Sequence, residues 1–133
     1  MLRYLLDTNT CIAAMRSHPK VVQRMAAVPP GDCAISAITG YELVTGVEKC
    51  SDPTKERAKV DLLLNTAQHL PFDFGAAEQA ARIRALLESQ GQPIGPYDIL
   101  LAGHALSATL ILVTDNTKEF SRVPALTLEN WQT

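Results

Sequence analysis

Short unbroken apolar runs alternate along this chain with longer stretches in which apolar positions recur at helical spacing. Residues 2–6 read as a strand ending at Asp7, CAIS at 33–36 as a second, HLPFD at 69–73 as a third and LILV at 110–113 as a fourth, with ALTLENW at 125–131 supplying a short final one. Between them the period changes. Thr8 or Asn9 is placed to cap a helix carrying Ile12 and Met15, and His18-Pro19 opens another with Val21, Val22 and Met25. VPPGD at 28–32 is a turn by composition, and Ser36 caps a helix running to about Glu48, where CSDPT ends it. Residues 54–67 set Val60, Leu63, Leu64 and Ala67 on one side of an amphipathic helix, and Gly75 to Gln90 form an Ala-rich helix closed by Gly91. After the loop GQPIGP, Pro96 suits a first helical turn, and residues 97–108 are apolar on nearly every side, which demands a central position. Asn116 is placed to cap a last short helix through Phe120, with Glu119 at the third position as in a capping box.

Strands that alternate with helices in this way predict an α/β fold, a parallel sheet covered by helices on both faces. With 133 residues, 47% of them hydrophobic, and no repeat, low-complexity segment or linker, residues 1–133 are expected to form one domain around one core. No run of eighteen apolar residues occurs and the N-terminus has no signal-peptide pattern, so a soluble protein of the cytoplasm is expected. Cys11, Cys33 and Cys50 have no zinc-ligand spacing and read as buried free thiols.

A formal charge of −2 argues against a protein that coats nucleic acid through net charge alone. The local distribution is less simple. No acid occurs between Thr8 and Gly31 while Arg16, Lys20 and Arg24 do, and Arg82/Arg84 and Lys118/Arg122 form two further basic pairs. A nucleic-acid substrate is therefore permitted.

The acids carry more information. In an open parallel sheet, ligands bind beyond the carboxyl ends of the strands, and two predicted strands end directly in an acid, Asp7 and Asp115. Each alone reads equally well as a helix cap. Asp98 is different, because its helical neighbours Leu101, Ala102 and Ala105 are core residues and no Lys or Arg occurs between Arg84 and Lys118. An ionised carboxylate there is costly unless it is paired or meets a cation. Glu42 shares a helix face with Ile38 and Thr45. Carboxylates gathered without thiols or imidazoles are the ligand set of hard divalent cations, above all Mg²⁺ and Mn²⁺, and the chemistry they suggest is metal-assisted hydrolysis of a phosphodiester.

The segments LLDTN at 5–9, SAITGYEL at 36–43, PIGPYDILLAGHAL at 93–106, LVTDNTKEFSRVPAL at 112–126 and the terminal ENW are each weak signals, but their order and spacing are specific. With them the chain resembles the PIN-domain ribonucleases, and among these the VapC toxins of type II toxin-antitoxin systems. The resemblance implies a three-layer α/β/α domain with a short parallel sheet, usually dimeric, that cleaves RNA with Mg²⁺ or Mn²⁺. It also implies a VapB antitoxin whose C-terminal segment covers the acidic site, and contact with operator DNA only through that partner. By motif, Asp7 and Asp98 match the metal ligands, and Glu42 the acid that completes the site or orients the attacking water. Many PIN domains have Thr-x-Asp after the last core strand, whereas this chain has Asp115 one place earlier and Asn116 in the third position. Asp115 and Asn116 are thus alternatives for one supporting role, with Thr8 and Thr114 placed to hold the ligands. Arg16, Lys20, Arg24, Lys118 and Arg122 are the expected phosphate contacts. Toxins of this branch often cut structured RNA, so tRNA is the expected substrate class.

Two other enzyme classes fit less well. Haloacid-dehalogenase-like phosphatases need Asp-x-Asp where this chain has Asp7-Thr8-Asn9, and receiver domains need a late Lys, yet none follows Lys118. The non-enzymatic alternative is an interaction domain acting as co-repressor with a DNA-binding partner.

Overall fold

The structure, a computed structural model, describes residues 1–133. Its five strands are β1 (Tyr4–Leu6), β2 (Cys33–Ser36), β3 (Gln68–Leu70), β4 (Ile111–Val113) and β5 (Leu128–Glu129). Its seven α-helices are α1 (Thr8–Met15), α2 (Pro19–Ala27), α3 (Ala37–Lys49), α4 (Pro53–Leu64), α5 (Phe74–Ser89), α6 (Pro96–Ala108) and α7 (Thr117–Phe120). A 3₁₀ turn, Pro30–Asp32, leads into β2. The sheet order is β3-β2-β1-β4-β5, and every pairing is parallel. No helix is long and apolar enough to cross a membrane.

β1 is the central strand, registered with Leu5 beside Ala34 on one side and Leu112 on the other. Successive side chains of a strand point to opposite faces, and here both faces are covered. Leu5, Ala34 and Leu112 enter one core cluster with Ala80, Ile83, Ile99 and Ala102 of α5 and α6. Tyr4, Leu6, Cys33, Ile35 and Val113 enter the other, with Val21, Leu43, Val60, Leu63 and Trp131. Burial on both faces is why these strands read as continuous apolar runs. The predicted α/β/α layering is therefore present, and α6, with five consecutive buried residues from Leu101 to Ala105, holds the interior position expected of it.

Several boundaries differ from the predicted ones for local reasons. β3 stops at Leu70 because Pro71 has no N–H to continue the ladder. Asp73, expected in that strand, instead caps α5, accepting from the Ala76 N–H at 2.9 Å. α4 ends at Leu64 rather than 67, since the Thr66 amide and hydroxyl both turn back to the Leu63 carbonyl, at 2.9 and 2.6 Å. Gly91 closes α5 as predicted. It takes a positive φ of 66°, while Gln92 N donates to Leu87 O and Gly91 N to Glu88 O, the paired bonds of a Schellman motif. Cys11 and Cys33 are buried free thiols, raised by burial above their ordinary range, whereas Cys50 is only half-buried at the end of α3.

Candidate active site

Parallel strands all end on one edge, and the chain turns there from β1 into α1, from β2 into α3 and from β4 toward α7. Asp7 occupies the first of these turns. It is itself the N-cap of α1, the structural role allowed for it in the sequence, so neither Thr8 nor Asn9 caps this helix; its Oδ1 accepts from the Thr10 N–H at 2.7 Å. Its own N–H donates to Val113 O at 3.0 Å, and the Thr10 hydroxyl donates to the same carbonyl at 3.1 Å, which fixes the ends of β1 and β4 together. Asp7 is only 5% exposed. Burial raises its carboxyl above the usual range, hydrogen bonds from the Thr114 and Thr10 side lower it in part, and the Asp115 charge adds to the rise.

Glu42 comes from α3, capped by Ser36, whose side chain accepts from Ile38 N at 3.0 Å. The Thr8 hydroxyl donates to Glu42 Oε1 at 2.7 Å, with the buried Thr39 hydroxyl 3.4 Å away. Of the two threonines expected to hold the ligands, Thr8 bonds Glu42, while the buried Thr114 side chain acts on Asp7 by lowering its carboxyl and accepts from the Asn116 N–H.

Asp98 stands in the first turn of α6, two residues inside Pro96. The preceding Gly95 is tight against it, since a Cβ there would lie 3.3 Å from Asp98 Oδ2. Burial, then the charges of Glu119, Asp7 and Glu42, push the Asp98 carboxyl up to about 6. Asp7 and Glu42, both read from the sequence, are therefore near enough to Asp98 for their charges to raise it.

Glu119 is the acid that sequence reasoning missed as a member of this group. Asn116 Nδ2 donates to Glu119 Oε2 at 3.1 Å, and the Asn116 N–H donates to Thr114 Oγ1 at 3.0 Å. The predicted capping box is not formed, because Asn116 uses its side chain to hold the Glu119 carboxylate instead of accepting from the helix backbone. Asp115 is exposed, and its charge is felt at Asp7. The available signal was the three-residue spacing of Asn116 and Glu119, assigned above to helix capping alone.

The donors at this edge are all oxygens of hard character, with no thiol or imidazole among them, which matches the ligand preference of Mg²⁺ or Mn²⁺. As the side chains lie, no three of them are arranged to grip a single ion. The match rests on donor chemistry and on an excess of negative charge, buried at Asp7 and half-buried at Glu42, Asp98 and Glu119: none of the protein's ion pairs involves any of the four.

The basic residues divide. Arg16 is exposed at the end of α1 and, with Glu42, Glu56 and Lys59, lines a cleft of about 380 Å³ between α1, α3 and α4. Lys20 and Lys118 are exposed. Arg24 does not meet the expectation of a free phosphate contact. Its guanidinium pairs with Glu129 at 2.7 Å and lies over the Trp131 ring, 5.2 Å from the centroid. Arg122 is likewise engaged, donating to Pro93 O at 3.2 Å.

Two aromatic residues also stand out beside the acids. Tyr41 precedes Glu42 and Tyr97 precedes Asp98; their hydroxyls are 3.2 Å apart and their ring centroids 5.6 Å. The Tyr41 hydrogen bond and charge, and more weakly the Glu42 charge, raise the Tyr97 phenol above its ordinary range.

The sequence profile of the PIN domain matches residues 4–126. The tRNA(fMet)-specific endonuclease VapC of Shigella flexneri is 40% identical, over 98% of this chain and 99% of its own length. Among solved structures, DNA-bound VapBC from Salmonella typhimurium superposes with a TM-score of 0.94 at 39% identity, covering 98% of this chain and 99% of the other. VapBC2 from Rickettsia felis, bound to a DNA fragment from its promoter, gives a TM-score of 0.92 at 35% identity over 98% and 99%. With its parallel sheet, its acids at the carboxyl edge and these full-length similarities, the chain belongs to the PIN-domain family, in its VapC branch.

Proposed function

We propose that this protein is the toxic member of a type II toxin-antitoxin pair and an endoribonuclease that hydrolyses RNA phosphodiester bonds. The observation that carries the reading is the gathering of Glu119, Asp7 and Glu42 around Asp98, where their charges raise its carboxyl at the sheet edge and none of the four acids is in an ion pair. Such an arrangement destabilises the free protein, and a bound cation relieves it. Asp7 and Asp98 are the residues that would hold it. A divalent cation at that place supplies charge neutralisation for the phosphate and lowers the pKa of a bound water.

The chain's own groups supply the rest. Glu42, fixed by Thr8, is positioned to orient the attacking water and accept its proton, while Asn116 and Glu119 complete the acidic wall. Water oxygen adds to phosphorus, the bond to the leaving ribose oxygen breaks, and that oxygen leaves with a proton. Arg16, Lys20 and Lys118 are the exposed cations left to meet flanking phosphates. The named activity of the Shigella relative supports tRNA, and initiator tRNA first, as the substrate. The VapBC complexes support a VapB-type antitoxin as partner and inhibitor, with operator DNA reached through it. The protein acts in the cytoplasm and as a homodimer in this reading. A co-repressor without catalysis would leave the opposed acids without a role.

The test is cleavage of an initiator tRNA transcript by purified protein with Mg²⁺ or Mn²⁺. Activity removed by EDTA and by Asp98→Asn supports the enzyme; cleavage by Asp98→Asn at the wild-type rate, or at the full rate in EDTA, rejects it.

A further inference from the structure

We propose that Tyr41 and Tyr97 form a stacking platform that receives an unpaired nucleobase of the RNA beside the scissile phosphate; this rests on the RNA-cleaving reading of the same site. The two side chains are 55% and 41% exposed, large apolar surfaces that the fold does not bury. Their rings meet at 55° rather than stacking on each other, so ring surface is left open to a third planar group. Each precedes a carboxylate of the site, Tyr41 on α3 and Tyr97 on α6, and the Glu42 charge reaches the Tyr97 hydroxyl. Other exposed apolar side chains, such as Leu62 and Phe74, flank none of the site acids in sequence.

The chemistry suits a base better than a phosphate. Carboxylates beside the pair repel an anion, whereas a neutral base offers a π-face to a ring and amino or carbonyl groups to a phenol. The hydroxyls share one hydrogen bond, so whichever one donates, one phenolic proton remains for the edge of the base. A purely structural tie between α3 and α6 does not require exposed rings. Fixing one base also holds the adjoining backbone phosphate beside the acids, so the contribution appears as affinity for the RNA.

The experiment uses the full chain with an initiator tRNA transcript, and with copies carrying single abasic positions on either side of the cleaved bond. Tyr97→Leu and Tyr41→Leu are expected to raise KM by roughly tenfold with kcat little changed, and Tyr97→Phe to retain most of the affinity. At one abasic position the wild type should show the same loss, and Tyr97→Leu no further loss there. Thermal melting verifies that the variants are folded. Leu variants with wild-type KM, or tyrosine and abasic losses that add in full at every position, would overturn the platform while leaving the ribonuclease standing. Wild-type protein unable to cut any RNA removes the underlying reading and the platform with it.

Discussion

The Thr8 hydroxyl and the Glu42 carboxylate, 34 positions apart in the chain, are joined by a 2.7 Å hydrogen bond that ties the first turn of α1 to α3. A charge-assisted bond of this kind holds the carboxylate in one rotamer, and with it the direction in which a proton can be accepted. Thr8→Val keeps the shape and removes the donor. The expected result is a fall in kcat on the order of tenfold with a small change in melting temperature. Thr8→Ser should restore most of the rate. Single-turnover RNA cleavage measures both, and a Thr8→Val rate equal to wild type would show that Glu42 is oriented by something else.

Asp98 sets function against stability. Its carboxyl is held up to about 6 by burial and by Glu119, Asp7 and Glu42, so the folded state binds its proton more tightly than the unfolded chain does. Stability is then lost as pH rises from the ordinary carboxylate value toward that figure, and the loss is complete above it. Asp98→Asn should abolish cleavage yet stabilise the metal-free protein near neutral pH, by about 1 kcal/mol once solvent screening is allowed for. Urea unfolding in EDTA would show this as a higher midpoint; a lower one would mean that the carboxylate is a structural cap.

His104 gives the opposite dependence on pH. Its Nδ1 lies 2.9 Å from Ser36 Oγ, which already accepts from Ile38 N and so has its own proton to donate to an unprotonated ring nitrogen. Burial lowers the His104 pKa despite the Asp73 charge. The unfolded chain therefore takes up a proton first as pH falls, and stability declines from the ordinary histidine value downward. Because Asp98 contributes with the other sign in part of this range, the useful quantity is a difference. The unfolding midpoint of wild type minus that of His104→Gln should shrink between about pH 7.5 and pH 5.5. A difference independent of pH would show that His104 does not titrate between the two states.

The contact between α5 and α6 is equally specific. A Cβ on Gly103 would lie 2.5 Å from the backbone N of Ala80 and 2.7 Å from its Cβ, so α5 and α6 touch through a position with no room for a methyl. Gly103→Ala should destabilise by about 1–3 kcal/mol through overpacking, despite the better helix propensity of Ala. Adding Ala80→Gly should not rescue it, because the nearest obstruction is backbone. Denaturant midpoints of Gly103→Ala, Ala80→Gly and the double variant test this, and full rescue would place the strain on the Ala80 side chain.

Much of the fold was legible because its signals are local. The runs YLL, CAIS and LILV announce strands covered on both faces, Ser36 and Gly91 mark helix ends through bonds made within a few residues, and Pro96 marks one through its fixed φ. Boundaries slipped where a nearby polar group competed, as when Asp73 and Thr66 redirected backbone bonds that periodicity had assigned to a strand and a helix. The site was partly legible for a related reason. Asp98 sits among core residues in the sequence itself, so its cost can be read without a structure.

The sequence by itself determined the alternation of strands and helices, the burial of the sheet, and three acids, Asp7, Glu42 and Asp98, whose surroundings or motifs set them apart. Only the tertiary structure decided which groups act together. It brought Glu119 near Asp98, gave Asn116 to Glu119 and Thr8 to Glu42, and withdrew Arg24 to Glu129 and Trp131. The physical reason is range. Propensity and capping act over a few residues along the chain, whereas a carboxylate's partner and charge environment depend on which strand ends and helix starts the sheet order sets side by side.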